Sequence, residues 1–553
     1  YIGKSPELGV RTRYYYTVSA GATSVSGSDD NSKTLTFSDG EFVDVSLNGV
    51  ALVAGTDYNT TTANTIAGIS AMAASDVVEV VVYDVFSVFS GDISGDLAVG
   101  ANLSVTGTST LTGSLAVTGD YSSTTSGTSN LRLGVNAGNS IASGGNYNVT
   151  IGDEAGTALT TGDNNVAIGY SALKTEDADG NNTAVGTNSL FTLNAGSSAA
   201  NTAVGLNSGY SLSTGVNNTY IGAVSGKDAT TGARNTALGY YSGASDQNSS
   251  GGSGNDNVWI GHQAGMKSSS ANSNVAIGSE AGDALTTAPY NVAIGHVALT
   301  TDTKGERSVA IGYGALNAQN FTSATETLNV AVGHSAGTSI TTGVSNTIMG
   351  ANAGDAFTDA DYNVAIGNKA LTTDTLGSRS TAIGYQALYT QNFTSATNAN
   401  NVAVGYEAGT ALTTGIDNVI IGTNTGDALT DTDYNVAVGK VALSADTLGS
   451  KSTAIGHGTL NVQNFTSATD TFNTAVGYHA GVSVTTGDKN TIVGSNAGDA
   501  LTTGNKNTAI GYGALGGGTT YDGNTAIGFE ALKVANLTTG ADANNTAVGA
   551  SAG

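Results

Sequence analysis

The sequence predicts an all-β protein whose larger part is a long parallel β-solenoid. Three observations support this prediction: a short motif recurs along three-quarters of the chain, glycine accounts for 78 of 553 residues, and only 2 residues are proline. Abundant glycine with little proline is typical of a chain that turns often and pairs its backbone between turns. Because 39% of the residues are apolar, we do not expect a disordered chain.

The recurring motif is Asn-[Thr/Val]-Ala-[Ile/Val]-Gly, as in residues 165–169 and 507–511. It occurs 24 times, and 16 of the 23 spacings between successive motif glycines equal 17. From Gly261 the spacings run 17, 17, 17 and 21 and then repeat, which makes a 72-residue block. A single repeat cannot bury its own apolar edge, whereas stacked repeats form a continuous core. We therefore interpret residues 130–553 as one solenoid, with one coil per repeat.

Each motif is predicted to form a short strand that ends at its glycine. The residue after Asn is Thr or Val in 23 copies, and the residue before Gly is aliphatic in all 24. These two positions share one face of the strand, which we expect to pack in the core, with Ile383 as an example. The residue between them is Ala in 17 copies and points the opposite way. Two apolar faces predict that one borders the coil interior and the other a neighbouring chain, and hence an oligomer.

The motif begins with Asn in 21 copies, and the exceptions are Ser308, Ser380 and Ser452. Two structural explanations are open. The side-chain amides could form a ladder along the stack, or Asn could be chosen because it tolerates the left-handed backbone of a tight turn.

The strings Asn-Thr-Ala-Val-Gly and Asn-Val-Ala-Ile-Gly resemble the head repeats of trimeric autotransporter adhesins and similar repeats in phage tail fibres. The resemblance covers about 420 residues. It implies a left-handed parallel β-roll assembled as a homotrimer. The adhesin repeat is usually somewhat shorter than the 17-residue period found here.

Residues 1–90 are predicted to form a small antiparallel β-sandwich. The segments 13–18, 42–47 and 77–83 have the composition of strands, and Asn48-Gly49 is a strong hairpin-turn signal. The segments 1–6, 11–14 and 45–50 resemble domains in tail fibres of marine tailed phages, which implies a place in a virion.

Residues 91–129 contain short Leu/Val segments that end in glycine, such as 103–107 and 115–119. These resemble the intertwined β shafts of trimeric fibres, and a flexible linker is the alternative. Because the sequence opens at Tyr1 and stops at Gly553 within a repeat, we expect the natural chain to continue beyond it.

The composition of the chain argues against several classes of function. With 43 acidic and 18 basic residues the formal net charge is -25, which disfavours binding to nucleic acid. The absence of cysteine excludes disulfides, thiolate metal sites and cysteine nucleophiles. No apolar run approaches the roughly 20 residues of a membrane span, so membrane insertion is not expected.

We expect no catalytic residue, metal or cofactor. Four of the five histidines directly follow a motif glycine, where other copies have Tyr, which predicts a surface or stacking row. The acidic pairs in 359–361 and 431–433 lack the turn glycine and the distal glutamate of an EF-hand. The five histidines are His262, His296, His334, His457 and His479.

The 21-residue coils contain the string Gln-Asn-Phe-Thr-Ser-Ala-Thr, at 319–325, 391–397 and 463–469. Their four extra residues must bulge from the stack. Phe321, Phe393 and Phe465 are either exposed receptor-contacting aromatics or rings that fold back and cap their own bulge, and the second reading is favoured.

These features together predict a structural fibre of an extracellular virion. Its N-terminal end would attach to other tail proteins, and the solenoid would reach outward and adhere to a host-surface glycan or protein. A bacterial adhesin of the trimeric autotransporter type is one alternative. A polysaccharide depolymerase is another, but it needs a carboxylate pair about 5–9.5 Å apart. The turn acids Asp283, Asp355, Asp427 and Asp499 recur only every fourth coil.

Overall fold

The computed structural model describes residues 11–37, 39–83, 105–106, 125–196, 198–244, 252–534 and 544–553. The described residues contain β-strands and one short 3-10 helix, Gly40–Phe42. They belong to two compact units, which we describe separately. The predicted shaft at 91–129 lies almost entirely outside the described residues.

The N-terminal unit consists of two antiparallel sheets around one core. A four-stranded sheet has the order β1-β6-β3-β4, and β2 pairs with β5. Alternate residues of β6 such as Val78 and Val80 are buried together with Tyr14 of β1 and Ile66 of β5, so both sheets contribute to this core. The strands are β1 Arg11–Thr17, β2 Ser24–Ser26, β3 Val43–Leu47, β4 Val50–Leu52, β5 Thr65–Ala67 and β6 Val77–Tyr83.

The predicted hairpin turn is confirmed. Asn48 and Gly49 connect β3 to β4 with φ of 49° and 80°, the left-handed values that a two-residue hairpin loop requires. The Asn48 side chain also accepts a hydrogen bond from the Val77 N–H and donates one to Asp76, which attaches the turn to the start of β6.

The second unit is the predicted parallel solenoid. Its strands, in chain order, are β7 Leu131–Leu133, β8 Val149–Ile151, β9 Val166–Ile168, β10 Thr183–Val185, β11 Thr202–Val204, β12 Thr219–Ile221, β13 Thr236–Leu238, β14 Val258–Ile260, β15 Val275–Ile277, β16 Val292–Ile294, β17 Gly305–Glu306, β18 Val309–Ile311, β19 Thr325–Glu326, β20 Val330–Val332, β21 Thr347–Met349, β22 Val364–Ile366, β23 Gly377–Ser378, β24 Thr381–Ile383, β25 Thr397–Asn398, β26 Val402–Val404, β27 Val419–Ile421, β28 Val436–Val438, β29 Gly449–Ser450, β30 Thr453–Ile455, β31 Thr469–Asp470, β32 Thr474–Val476, β33 Thr491–Val493, β34 Thr508–Ile510, β35 Thr525–Ile527 and β36 Thr546–Val548.

The 24 three-residue strands form one parallel ladder. Each inner strand pairs in register with its neighbours on the preceding and following coils, so that Ala382 lies between Ala365 and Ala403. β7 pairs only with β8 and β36 only with β35 among the described residues, so they form the two ends of the ladder. The remaining two-residue strands form three separate pairs: β17 with β19, β23 with β25 and β29 with β31.

The face assigned to the core by sequence analysis is wrong. The middle residue of each strand from β8 to β36 in the ladder is buried, whereas its two neighbours are half-buried or exposed. Ala382 is fully buried, whereas Ile383 is 36% exposed. The coil is narrow, so its interior accepts Ala at this position, and the larger β-branched residues lie outside.

Two positions fill the interior of each coil, and the residue at one depends on the residue at the other. They are the fourth and the seventh residues after each motif glycine, called positions 4 and 7 here. Where position 7 is a large apolar residue, position 4 is Gly, because a β-carbon at Gly354 would lie 2.6 Å from Phe357 Cε2. The coil 186–205 is the exception, with Leu at both positions. Where position 7 is a buried Asp, Glu or Gln, position 4 is a fully buried Leu, as in Leu371 with Asp374.

Three described coils have a small residue at position 7 instead, namely Ala229, Ser268 and Gly518. Where it is Ala229 or Ser268, the middle strand residues Tyr220 and Trp259 are buried in the interior. These large rings fill the space that a large residue at position 7 occupies elsewhere.

The motif asparagines form a buried ladder of hydrogen bonds. Asn363 N–H donates to Asn346 Oδ1 at 2.9 Å, and its own amide nitrogen donates to the Gly377 carbonyl at 2.9 Å. The ladder explanation is therefore confirmed, with backbone groups as the partners. The left-handed turn residue is not this Asn but the residue before it, such as Tyr362 with φ of 59°.

The three serine exceptions mark a buried polar layer at three of the four 21-residue coils. Gln391 donates to Asp374 Oδ2 at 2.6 Å and to Ser380 Oγ at 3.2 Å, and its own oxygen accepts from Asn401 at 2.9 Å. The Asp374 carboxylate also accepts the N–H groups of Gly377 and Phe393. Burial raises the pKa of Asp374, and these donors oppose that shift. Equivalent layers are built by Asp302 with Gln319 and Asp446 with Gln463.

Candidate interaction surface

The outward face of the ladder consists of the residues that flank the buried middle residue in each strand. Its exposed large side chains are apolar: Met349 is 43% exposed, and Ile383, Ile421 and Ile455 are 36–38% exposed. Apolar side chains lying on successive coils make a continuous apolar stripe. Contiguous exposed apolar patches of this kind mark interaction sites.

A ring row lies beside this face, at the residue directly after the motif glycine, which is Tyr, His or Phe in 12 of the 24 copies. Tyr385 stacks on Tyr406 with ring centroids 5.3 Å apart, and Tyr313 lies between His296 and His334 at 5.5 and 5.1 Å. These separations are close to the spacing of paired strands, so the rings follow the coils.

The prediction of a stacking row for the histidines is therefore confirmed. His262 stacks on Tyr240 at 5.7 Å, and His457 stacks on Tyr478 at 5.4 Å. His479, the one histidine that does not follow a motif glycine, stacks on Tyr478.

A corner row lies at the other edge of the outward face, at the residue before each motif Asn. The Arg307 guanidinium lies 5.6 Å from the ring centre of Tyr290 and 3.2 Å from Glu326. One 72-residue block further along, Arg379 lies 5.9 Å from the ring centre of Tyr362. Tyrosine and arginine dominate the energetically important residues of protein interfaces. Both edges of the outward face thus carry residue types suited to binding a macromolecule.

The phenylalanines singled out from the sequence are buried. Phe321, Phe393 and Phe465 are 6–7% exposed. The exposed part of each bulge is the following Thr-Ser-Ala segment, such as 394–396. Burial is what the capping explanation predicts, and it leaves little ring surface for a receptor.

The acidic side chains of the turns accept hydrogen bonds from backbone N–H groups. Asp361 Oδ1 accepts the Val344 N–H, and Asp433 Oδ1 accepts the Ile416 N–H, each at 2.8 Å from the preceding coil. No group of three or more His, Asp or Glu side chains placed to hold a metal ion occurs in the part of the chain that the structure describes. Nor do those residues include a helix that could cross a membrane.

Sequence analysis missed the corner row and misassigned the outward face. The corner row could have been found from the 72-residue period, since Tyr290, Tyr362 and Tyr434 are each followed by Arg or Lys at the same position of the next coil. The outward face could have been found from size, because the middle residue is Ala in 17 of the 24 copies and so small a residue suits a narrow interior. Comparison with protein-family models, curated proteins and solved structures gave no match to this chain.

Proposed function

We propose that this chain is a structural fibre of a virion, which extends from the particle and adheres to the surface of a host cell. The observation that carries the proposal is the single ladder of 24 coils, in which every coil stacks only on its neighbours. Such an array provides length rather than a cleft. At about 4.8 Å per coil, the 23 steps from Gly134 to Gly549 correspond to roughly 110 Å.

The outward face supports assembly with copies of the same chain, as a homotrimer. A stripe roughly 110 Å long and about four residues wide offers on the order of 1,400 Å². This exceeds the roughly 800 Å² per partner of a stable protein interface. Because the same residue types recur on every coil, identical chains aligned side by side would present matching apolar rows along their whole length.

The proposed function includes two further kinds of partner. Other tail proteins of the virion would hold the N-terminal unit. A glycan or protein of the host surface would contact the solenoid or the chain beyond it. The same architecture also serves a bacterial surface adhesin, and the location of the chain separates the two functions.

The test is immunogold labelling of a phage lysate and of its host cells with antibodies raised against this chain. We expect gold on the tail appendages of intact particles, and we expect the same antibodies to reduce adsorption of the phage. Labelling of uninfected cells and none on particles would replace the virion fibre with the adhesin. Loss of host polysaccharide on incubation with the purified chain would indicate a depolymerase.

A further inference from the structure

One coil, residues 169–186, differs from the others in its interior. Glu176 occupies position 7, where Asp302, Asp374 and Asp446 stand in the polar layers. In those layers the following coil supplies a Gln carboxamide to the acid. Here the following coil has Leu193 at that place, so the carboxamide is missing.

Three buried polar atoms are left without a hydrogen-bond partner as a result. They are Glu176 Oε2, Asp179 Oδ1 and the amide nitrogen of Asn182, in residues that are at most 1% exposed. Asp179 Oδ2 accepts the N–H groups of Ala195 and Gly196 on the following coil, at 2.6 and 2.7 Å. The Asn165 and Asn201 amides on the neighbouring coils each donate to the carbonyl 14 residues further along the chain, whereas the Asn182 amide nitrogen has no such partner.

Two carboxylates accept hydrogen bonds and donate none, so Glu176 and Asp179 cannot both be ionised and satisfied. The Asp179 N–H donates to Glu176 Oε1 at 2.8 Å, and the charge of Asp179 acts on Glu176, so the two carboxyl groups are neighbours. A proton on Glu176 Oε2, donated to Asp179 Oδ1, would satisfy both orphaned oxygens.

We propose that Glu176 keeps its proton inside the solenoid and offers it to Asp179, and that the coil they occupy opens when the proton is lost to solvent. Deprotonation leaves two adjacent buried carboxylates, which repel each other and lack donors.

The surrounding charges offer no compensation. Asp177, two residues before Asp179, adds negative charge. Lys174 lies 2.5 Å from Glu154, and Asp163 on the preceding coil directs its carboxylate to the Asn146 N–H. The following coil, 186–205, contains no titratable side chain.

The direction of the pH dependence follows from linkage. Burial, followed by the charge of Asp179, raises the pKa of Glu176 to about 8, from 4.5, and the hydrogen bond from the Asp179 N–H opposes this shift. The folded coil therefore binds the proton more tightly than the unfolded coil. Its stabilising contribution is complete below the unfolded value and is lost as pH rises towards 8. Between the unfolded pKa and pH 8, loss of this one proton changes the equilibrium between the closed and the open coil by at most about tenfold per pH unit.

The test is hydrogen exchange of the whole chain, followed by mass spectrometry at pH 6 and pH 8 and corrected for the intrinsic exchange rate. We expect opening of residues 169–205 to increase by up to about 100-fold. Residues 333–367, whose interior positions are Ile340 and Phe357, are the internal control and should change less than about twofold.

Two variants identify the titrating group. Glu176→Gln places a permanent donor on this side chain and should abolish the pH dependence in 169–205. Leu193→Gln restores the missing carboxamide and should reduce it, which also gives a result if Glu176→Gln folds poorly. Equal pH dependence in 169–205 and 333–367 would overturn the proposal, as would a steep dependence that persists in Glu176→Gln.

Discussion

At the scale of single residues, the packing inside each coil depends on which residues are combined at positions 4 and 7. Every large apolar residue at position 7 goes with Gly at position 4, except in the coil 186–205, and every buried Asp, Glu or Gln at position 7 goes with Leu at position 4. Both residues at position 4 have a left-handed backbone, with φ of 53° at Gly426 and 50° at Leu371. A left-handed leucine is strained. The chain therefore accepts backbone strain at these coils in order to fill the space beside a polar side chain.

Replacement of Gly426 by Ala tests whether a large residue at position 7 requires Gly at position 4. The new β-carbon would lie 2.8 Å from Leu429 Cδ1, so we expect a loss of roughly 1–3 kcal/mol from overpacking, in addition to left-handed strain. Gly314→Ala is the matched control, because Gly314 has φ of +62° and its nearest neighbouring atom would be 3.7 Å away. Hydrogen exchange of each coil measures the difference, and equal effects of the two changes would show that crowding is unimportant.

At the scale of the single coil, the long coil is the element that the sequence predicts least completely. The four extra residues and their bulge follow from the 21-residue spacing, and Thr394 and Ser395 are exposed as expected. The polar layer does not follow from spacing, because Asp374 and Ser380 belong to one coil and Gln391 to the next, and only the stacked fold brings them together. A buried polar group that needs its partner can fix the register of a repetitive chain.

Replacement of Gln391 by Leu should destabilise its coil. The change removes a donor to Asp374 and an acceptor of Asn401, and leaving a buried polar group unpaired costs about 1–3 kcal/mol. Ser395→Ala, on the exposed bulge of the same coil, should change stability by less than about 0.5 kcal/mol. Local hydrogen exchange of residues 367–405 gives both values. A Gln391→Leu variant as stable as the control would show that the layer is dispensable.

Replacement of Phe393 by Ala distinguishes packing from receptor contact. Because the ring is 6% exposed, we expect the melting temperature to fall, consistent with a cost of about 3–5 kcal/mol for truncating a buried Phe. Adsorption of particles that carry the variant should stay close to wild type. Reduced adsorption at an unchanged melting temperature would identify the bulge as a receptor site.

At the scale of the whole molecule, the repeat predicts the architecture because its period is set by the coil. The 24 glycines predicted the number of strands and their parallel order, since each coil stacks only on the next. Alternation alone did not distinguish inside from outside, because both faces of the strand are apolar. The distinction depends on the width of the coil, which allows Ala382 inside and leaves Ile383 outside.

We propose that the outward face is covered by copies of the same chain. The most direct test is the mass of the chain in solution by sedimentation equilibrium, where we predict three chains per particle. The combined variant Ile383→Asp, Ile455→Asp and Ile510→Asp should dissociate the assembly, because each change would place an unpaired charge in an apolar interface. Hydrogen exchange should show its coils still folded, since these three side chains are 36–38% exposed in the single chain. A stable monomer of the unaltered chain, with the outward face open to solvent, would contradict the account.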